Sequence, residues 1–187
     1  MRITFEKRKA DCLGKDDKSS IGSWDKPIAK LCGKINKKSN YYTLSSCSGR
    51  IVIIKNLDKK QPNMFVFRSH GKVGFAELKK KLIEAGRTKE NLNFKQEACI
   101  LHVCCKKLAD AETLLEKARE SGWKNSGIMS TRGRIVLELR STEYLALPIM
   151  ESGTLLVDDE FLKILLKESN KRLEKTWNKI RKLEKII

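Results

Sequence analysis

With 187 residues, 40% of them apolar and 34% charged, the chain is long enough to bury a core and too regularly apolar to be disordered. Lys and Arg number 40 against 23 Asp and Glu, a net charge of +17, and residues 1–60 alone hold 15 bases against 6 acids. A field of that sign attracts polyanions, nucleic acid ahead of a membrane surface. No run of 18 apolar residues exists to span a bilayer, and "MRITFEKRKADCLGKDDKSS" lacks the apolar heart of a signal peptide. A cytoplasmic chain without a membrane partner is therefore expected. The six cysteines, Cys12, Cys32, Cys47, Cys99, Cys104 and Cys105, show no Cys-x-x-Cys and no Cys/His spacing, so neither a metal nor disulfides are expected.

In chain order, "TFEKRKADCL" reads as a short helix and "DKSSIGSWD" as a turn-rich link. Trp24, Ile28, Leu31 and Ile35 then repeat at helical spacing, with Ser23 as the expected N-cap. Strands are expected at Tyr41–Ser45, Arg50–Lys55 and Met64–His70, followed by a helix over Phe75–Ala85 that stops at Gly86. "FKQEACILHVCC", Phe94–Cys105, reads as one strand buried on both faces. A helix over Leu108–Ser121 closes at Gly122, and "SGIMS" and "RIVLELR" are two more strands. The chain is irregular around Pro148, and from Asp158 a long helix carries Leu162, Leu166, Leu173, Trp177, Ile180 and Leu183 as its buried stripe.

Two stretches, "SSCSGRIVII" (Ser45–Ile54) and "STRGRIVLEL" (Ser130–Leu139), each run from a serine through three or two further residues into Gly-Arg-Ile-Val and an apolar tail, and each follows a helix. The repeated helix–strand–turn–strand order points to a duplication inside a single domain spanning 1–187, with repeats at about 1–90 and 91–187. The fold class expected is α/β of the α+β type. Two helix–strand–strand halves would merge into one curved, mostly antiparallel sheet with outer helices.

Ser45-Ser46-Cys47-Ser48-Gly49-Arg50 is the stretch richest in chemistry. As a nucleophile, Cys47 or a serine needs a histidine base with an orienting acid, and only His70 and His102 exist, neither beside a strand–Ser–helix elbow. The Walker pattern and Gly-x-Gly-x-x-Gly are both absent. What the segment offers is hydroxyls, backbone N–H groups and a guanidinium, suited to a carboxylate or phosphate, or else a hairpin whose serines satisfy the turn. His70 ends a strand where it can be presented to a ligand, while His102, in "ILHVCC", reads first as a core histidine. Glu97 lies five residues before His102 and so nominally faces the other way. Lys18-Ser19 reads as a capping turn or a basic contact.

Taken together and in order, "DKSSIGSWD", "INKKSNYYTLSSCSGRIVI", "RSHGKV", "FKQEACILHV", "SGWKNSGIMSTRGRIVLELRSTEYLALPI" and "SNKRLEK" resemble the wybutosine-synthesizing methyltransferases, third-step enzymes acting beside the anticodon of phenylalanine tRNA. Where that family shows a Trp before the histidine, this strand has Phe65 and Phe67. The resemblance implies methyl transfer from S-adenosylmethionine to N4 of 4-demethylwyosine, or of its aminocarboxypropyl derivative, at guanosine 37. It also implies a barrel-like sheet rather than a Rossmann fold, and the anticodon region of tRNA-Phe as partner. On this reading His70 is the candidate catalytic residue. Lys18, Ser19, Ser45, Ser46, Cys47, Ser48, Gly49, Arg50 and His102 are candidate cofactor- or substrate-binding residues, with Tyr41 and Tyr42 as possible stacking platforms. A non-catalytic RNA-binding module is the alternative, and a Cys- or Ser-based hydrolase a distant third.

Overall fold

The computed structural model describes residues 3–15, 23–57, 61 and 63–187. Its strands form two sheets, β1-β5-β7-β6 and β3-β2-β4-β8-β9, and every pairing in them is antiparallel. The expected class, α+β without dinucleotide-type parallel order, is the one observed. Among the described residues no helix is long and apolar enough to cross a membrane.

The first compact unit takes in the described residues up to Ser48, then Cys99–Thr142 and Thr176–Ile187. It contains α1 (Phe5–Leu13), α2 (Lys26–Lys37), β1 (Tyr41–Cys47), β5 (Ile100–Cys105), α4 (Leu108–Glu120), β6 (Gly127–Ser130) and β7 (Ile135–Arg140). Period-two alternation sends Leu101, Val103 and Cys105 of β5 and Leu137 and Leu139 of β7 to one face. That face packs on Ile28, Leu31, Cys32 and Ile35 of α2, on Ala111, Leu114 and Ala118 of α4, and on Ile180 and Leu183 near the C-terminus. Trp123, just past α4, is fully buried in the same core and donates its indole N–H to the Lys179 carbonyl at 3.2 Å.

The second unit comprises Gly49–Ala98 and Glu143–Lys175. It holds β2 (Arg50–Lys55), β3 (Phe65–Ser69), α3 (Phe75–Gly86), β4 (Leu92–Glu97), β8 (Leu145–Glu151) and β9 (Thr154–Leu155). A helix of 28 residues, α5 (Asp159–Ile186), begins in this unit and supplies the first unit from Thr176 onward. Leu78, Leu82 and Ala85 of α3 and Leu162, Leu165, Leu166 and Leu173 of α5 are buried, as are Ile51–Ile54 of β2. The turn joining β8 to β9 needs glycine: Gly153 has φ +83°, and a Cβ there would sit 2.4 Å from the Gly86 carbonyl oxygen.

Four expectations change. The helix expected from Trp24 starts at Lys26, with Pro27 in its first turn and Asp25, not Ser23, at the N-cap; Trp24 lies outside it, 41% exposed. The single strand expected over Phe94–Cys105 is two, because the chain breaks at Ala98-Cys99 and each half joins a different sheet. Pro148 lies within strand β8, opposite Asn93, next to a register shift that accommodates its missing N–H. Finally, Tyr41–Cys47 and Arg50–Lys55 are not a hairpin: β1 pairs with β5, while β2 pairs with β3 and β4. The matching stretch Ser130–Leu139, by contrast, is the β6–β7 hairpin of one sheet.

Candidate active site

The ladder between β1 and β5 contains one irregularity. Tyr41, Tyr42 and Thr43 oppose Cys105, Cys104 and Val103, but the next pair is Ser45 with His102, so Leu44 is an extra residue. Such a bulge reverses the alternation of everything after it. Tyr41, Thr43 and Ser46 therefore share the core face, and Tyr42, Ser45 and Cys47 the opposite one. The partners agree with this assignment: Thr43 bonds Asn36 of α2, whereas Tyr42 packs its ring 5.2 Å from Phe5 of α1.

On that second face three residues stand opposite one another on adjacent strands, Ser45 on β1, His102 on β5 and Glu138 on β7. Directly opposed side chains have Cβ atoms about 4.5–5.5 Å apart, within reach of a side-chain hydrogen bond. The Ser45 hydroxyl lies 2.8 Å from Nδ1 of His102, and Nε2 of His102 lies 2.8 Å from Oε2 of Glu138. A carboxylate only accepts, so Nε2 carries the proton. With the other nitrogen unprotonated, Nδ1 is then the acceptor for the Ser45 O–H. His102 and Glu138 are about a quarter exposed, and Ser45 is open to solvent. The far end of the face is closed by α1, which Arg8 ties to the Gly133 carbonyl at 3.1 Å and Glu6 to Lys106 at 2.7 Å.

The remaining residues of the serine-rich segment have separate tasks. Ser46 points inward and shares a hydrogen bond with the thiol of Cys32, which burial pushes up to about 11. The Ser48 backbone N–H donates to Asp25 Oδ2 at 2.7 Å, a bond that joins the end of β1 to the start of α2. The Ser48 hydroxyl is buried and has no hydrogen-bond partner among the described residues. Cys47 is a half-buried free thiol. Gly49 takes φ +90°, a left-handed conformation that carries the chain out of β1's sheet toward β2.

In the second unit, Arg50 donates through Nε to Glu97 Oε2 at 2.5 Å, and its guanidinium lies 5.0 Å from the Phe65 ring centroid. Arg68 lies over the same ring at 5.5 Å. Glu97 thus serves Arg50 rather than His102. His70 follows β3, half-buried, in a turn where the Gly71 N–H donates to Ser69 Oγ at 3.1 Å. Asn170 of α5 holds that turn from both sides, accepting from the Val73 N–H at 3.0 Å and donating to the Val73 carbonyl at 2.9 Å. The segments "RSHGKV" and "SNKRLEK" therefore meet.

Tyr41 and Tyr42 are 6% and 1% exposed, so neither ring offers a face for stacking. Burial raises both phenols to about 12. Lys18 and Ser19 lie outside the described residues. A concavity of about 220 Å³ beside Tyr41, Leu114 and Ile187, and another of about 350 Å³ beside Phe65 and Arg68, include none of Ser45–Arg50, His70 or His102. Glu138 escaped sequence reasoning. Its only signal is a lone acid in "RIVLELR", which marks an outward-facing position and nothing more.

Comparison with known proteins gives these contacts a setting. The family described as Methyltransferase TYW3 matches residues 7–187. A Danio rerio protein, "tRNA wybutosine-synthesizing protein 3 homolog", is 32% identical over 98% of this chain and 74% of its own length. From Thermococcus sibiricus, "tRNA(Phe) 7-((3-amino-3-carboxypropyl)-4-demethylwyosine(37)-N(4))-methyltransferase" is 36% identical over 90% of this chain and 86% of its own. Among solved structures, that of PH1069 protein from Pyrococcus horikoshii superposes with a TM-score of 0.86 at 30% identity, covering 97% of this chain and 93% of that one. A match running through both units, with an antiparallel fold that lacks a nucleotide-binding glycine turn, leaves one assignment: the chain belongs to the TYW3 methyltransferase family and is an enzyme of that kind.

Proposed function

We propose that the enzyme methylates N4 of 4-demethylwyosine, or of its aminocarboxypropyl derivative, at position 37 of tRNA-Phe, with S-adenosylmethionine as donor. The observation that carries this reading is the archaeal relative, whose printed name gives N4-methylation of the aminocarboxypropyl derivative at position 37 of tRNA(Phe) and which aligns over 90% of the chain. The net charge of +17 supports a folded RNA as substrate, because phosphate contacts from Lys and Arg give most of the affinity for a polyanion.

S-adenosylmethionine, when bound, supplies an electrophilic methyl group on a sulfonium sulfur. The side chains are of a kind that fits it. In the first unit Ser48 has a buried hydroxyl with no hydrogen-bond partner among the described residues, Cys47 is a half-buried thiol, and the exposed Ser45 hydroxyl, whose O–H goes to His102, keeps its oxygen free to accept from a ligand. In the second, Gly49 makes the left-handed turn into β2, Arg50 brings a guanidinium already oriented by Glu97, and His70 sits in a turn fixed by Asn170. We assign cofactor or substrate contact to these residues, and to Lys18 and Ser19. Methyl displacement at sulfur is in-line, so holding two large ligands in register supplies much of the rate.

The test is incubation with tRNA-Phe carrying the demethyl precursor and S-adenosylmethionine, followed by mass analysis of nucleoside 37. A gain of one methyl is expected. Tight, salt-sensitive tRNA binding with no methyl gained on either precursor would overturn the reading in favour of an RNA-binding module.

A further inference from the structure

We infer that Ser45, His102 and Glu138 form the proton-accepting relay of the methyl transfer, with Glu138 as its positioning residue; this rests on the function just proposed. The precursor is an N–H compound and the product an N–CH3 compound, so the tricyclic base loses one proton as it gains the methyl group. The N–C bond forms as the C–S bond breaks, and the electron pair of that bond stays on sulfur as a neutral thioether. The leaving proton passes to Ser45 Oγ while the Ser45 proton passes to Nδ1 of His102. An imidazolium results, whose Nε2–H goes on donating to the Glu138 carboxylate.

Three observations carry the assignment. The chain of bonds is continuous, 2.8 Å at each link, and runs from an exposed hydroxyl inward to a carboxylate. Glu138 fixes which nitrogen holds the proton, so Nδ1 faces Ser45 with its lone pair. The carboxylate also lies where positive charge develops on the ring, as in the Ser-His-Asp arrangement. A nucleophilic serine is the rival use of this geometry. Such a serine needs oxyanion donors, which an elbow supplies from the residue beginning a helix. Ser45 instead lies within β1, which runs on to Cys47 with no helix behind it.

The test compares wild type with Ser45→Ala, His102→Gln, Glu138→Gln and Glu138→Asp in the methylation assay across pH, with KM for tRNA and donor measured separately. General-base catalysis contributes typically about 10²–10⁴-fold. His102→Gln is expected to lower kcat about 100-fold or more with KM little changed. It should also abolish the fall in wild-type rate at acid pH, where a protonated imidazole cannot accept. Glu138→Gln should lower kcat at least about tenfold, with partial recovery in Glu138→Asp. Wild type gaining methyl while His102→Gln and Ser45→Ala keep its kcat and acid limb would overturn the relay alone. No methyl gained by wild type overturns the functional reading and the relay with it. Covalent capture of Ser45 by a fluorophosphonate would mark a nucleophile and also overturn the relay.

Discussion

Within four residues, Ser45, Ser46 and Ser48 reach three different chemical positions: bonded to an imidazole, bonded to a buried thiol, and buried with no partner for the hydroxyl among the described residues. The middle one has a thermodynamic consequence through Cys32. Its thiol rises to about 11 and that of Cys105 to about 12, both chiefly through burial, against about 8.5 for a thiol in an unfolded chain. Above about pH 8.5 the unfolded chain releases these protons while the folded one keeps them, so the folded state loses stability as pH rises toward the folded values. Thermal denaturation from pH 7 to 10.5 should show a Tm level to about pH 8.5 and falling beyond it, more gently in Cys32→Ala. Equal alkaline slopes in the two proteins would exclude Cys32 as a source. The residue types of this site were legible in the sequence, since hydroxyls, histidines and an arginine in a cationic chain suggest an anionic ligand. Their partners were not. Glu138, about ninety residues away from Ser45, meets it only through two inter-strand ladders.

Elements were read well wherever one period held over a whole segment. The amphipathic helices Phe75–Gly86, Leu108–Glu120 and Asp159–Ile186 fall where their apolar spacing placed them. Errors cluster where a local device overrides the period. Ala98-Cys99 breaks an apolar run that carries no glycine or proline to announce the break. Asp25 takes the capping position, and Leu44 enters β1 as an unpaired residue. Strict alternation from Tyr41 would put Ser45 on the core side and Leu44 opposite His102; the bulge exchanges them. Deleting Leu44 should therefore separate Ser45 from His102, whereas Leu44→Ala keeps the residue count and the geometry. Methylation by the deletion variant should fall to the level of Ser45→Ala or below, with Leu44→Ala close to wild type. Equal activity of the two variants would show that the bulge does not set the relay.

At the scale of the whole molecule, charge pointed to a polyanionic partner, nucleic acid first, the family resemblance to tRNA modification, and the order of helices and strands to an antiparallel α+β fold. How the strands divide between two sheets was not legible, because the residues that carry the chain from β1 to β2 and from β4 to β5 look like ordinary turns or like continued strand. Three separated segments make up the first unit, and its core includes Ile180 and Leu183, which lie within eight residues of Ile187. A protein shortened to residues 1–175 should accordingly bind a hydrophobic dye and lose the cooperative melting of the full chain; a sharp transition with no dye bound would contradict this. The same arrangement sets a timetable for synthesis. Compact units ordinarily close from the N-terminus as they leave the ribosome. Here β1 waits for β5, and the apolar faces of α2 and α4 wait for Ile180 and Leu183, so the unit whose translation begins first closes its core only once those residues have been made and have left the ribosome.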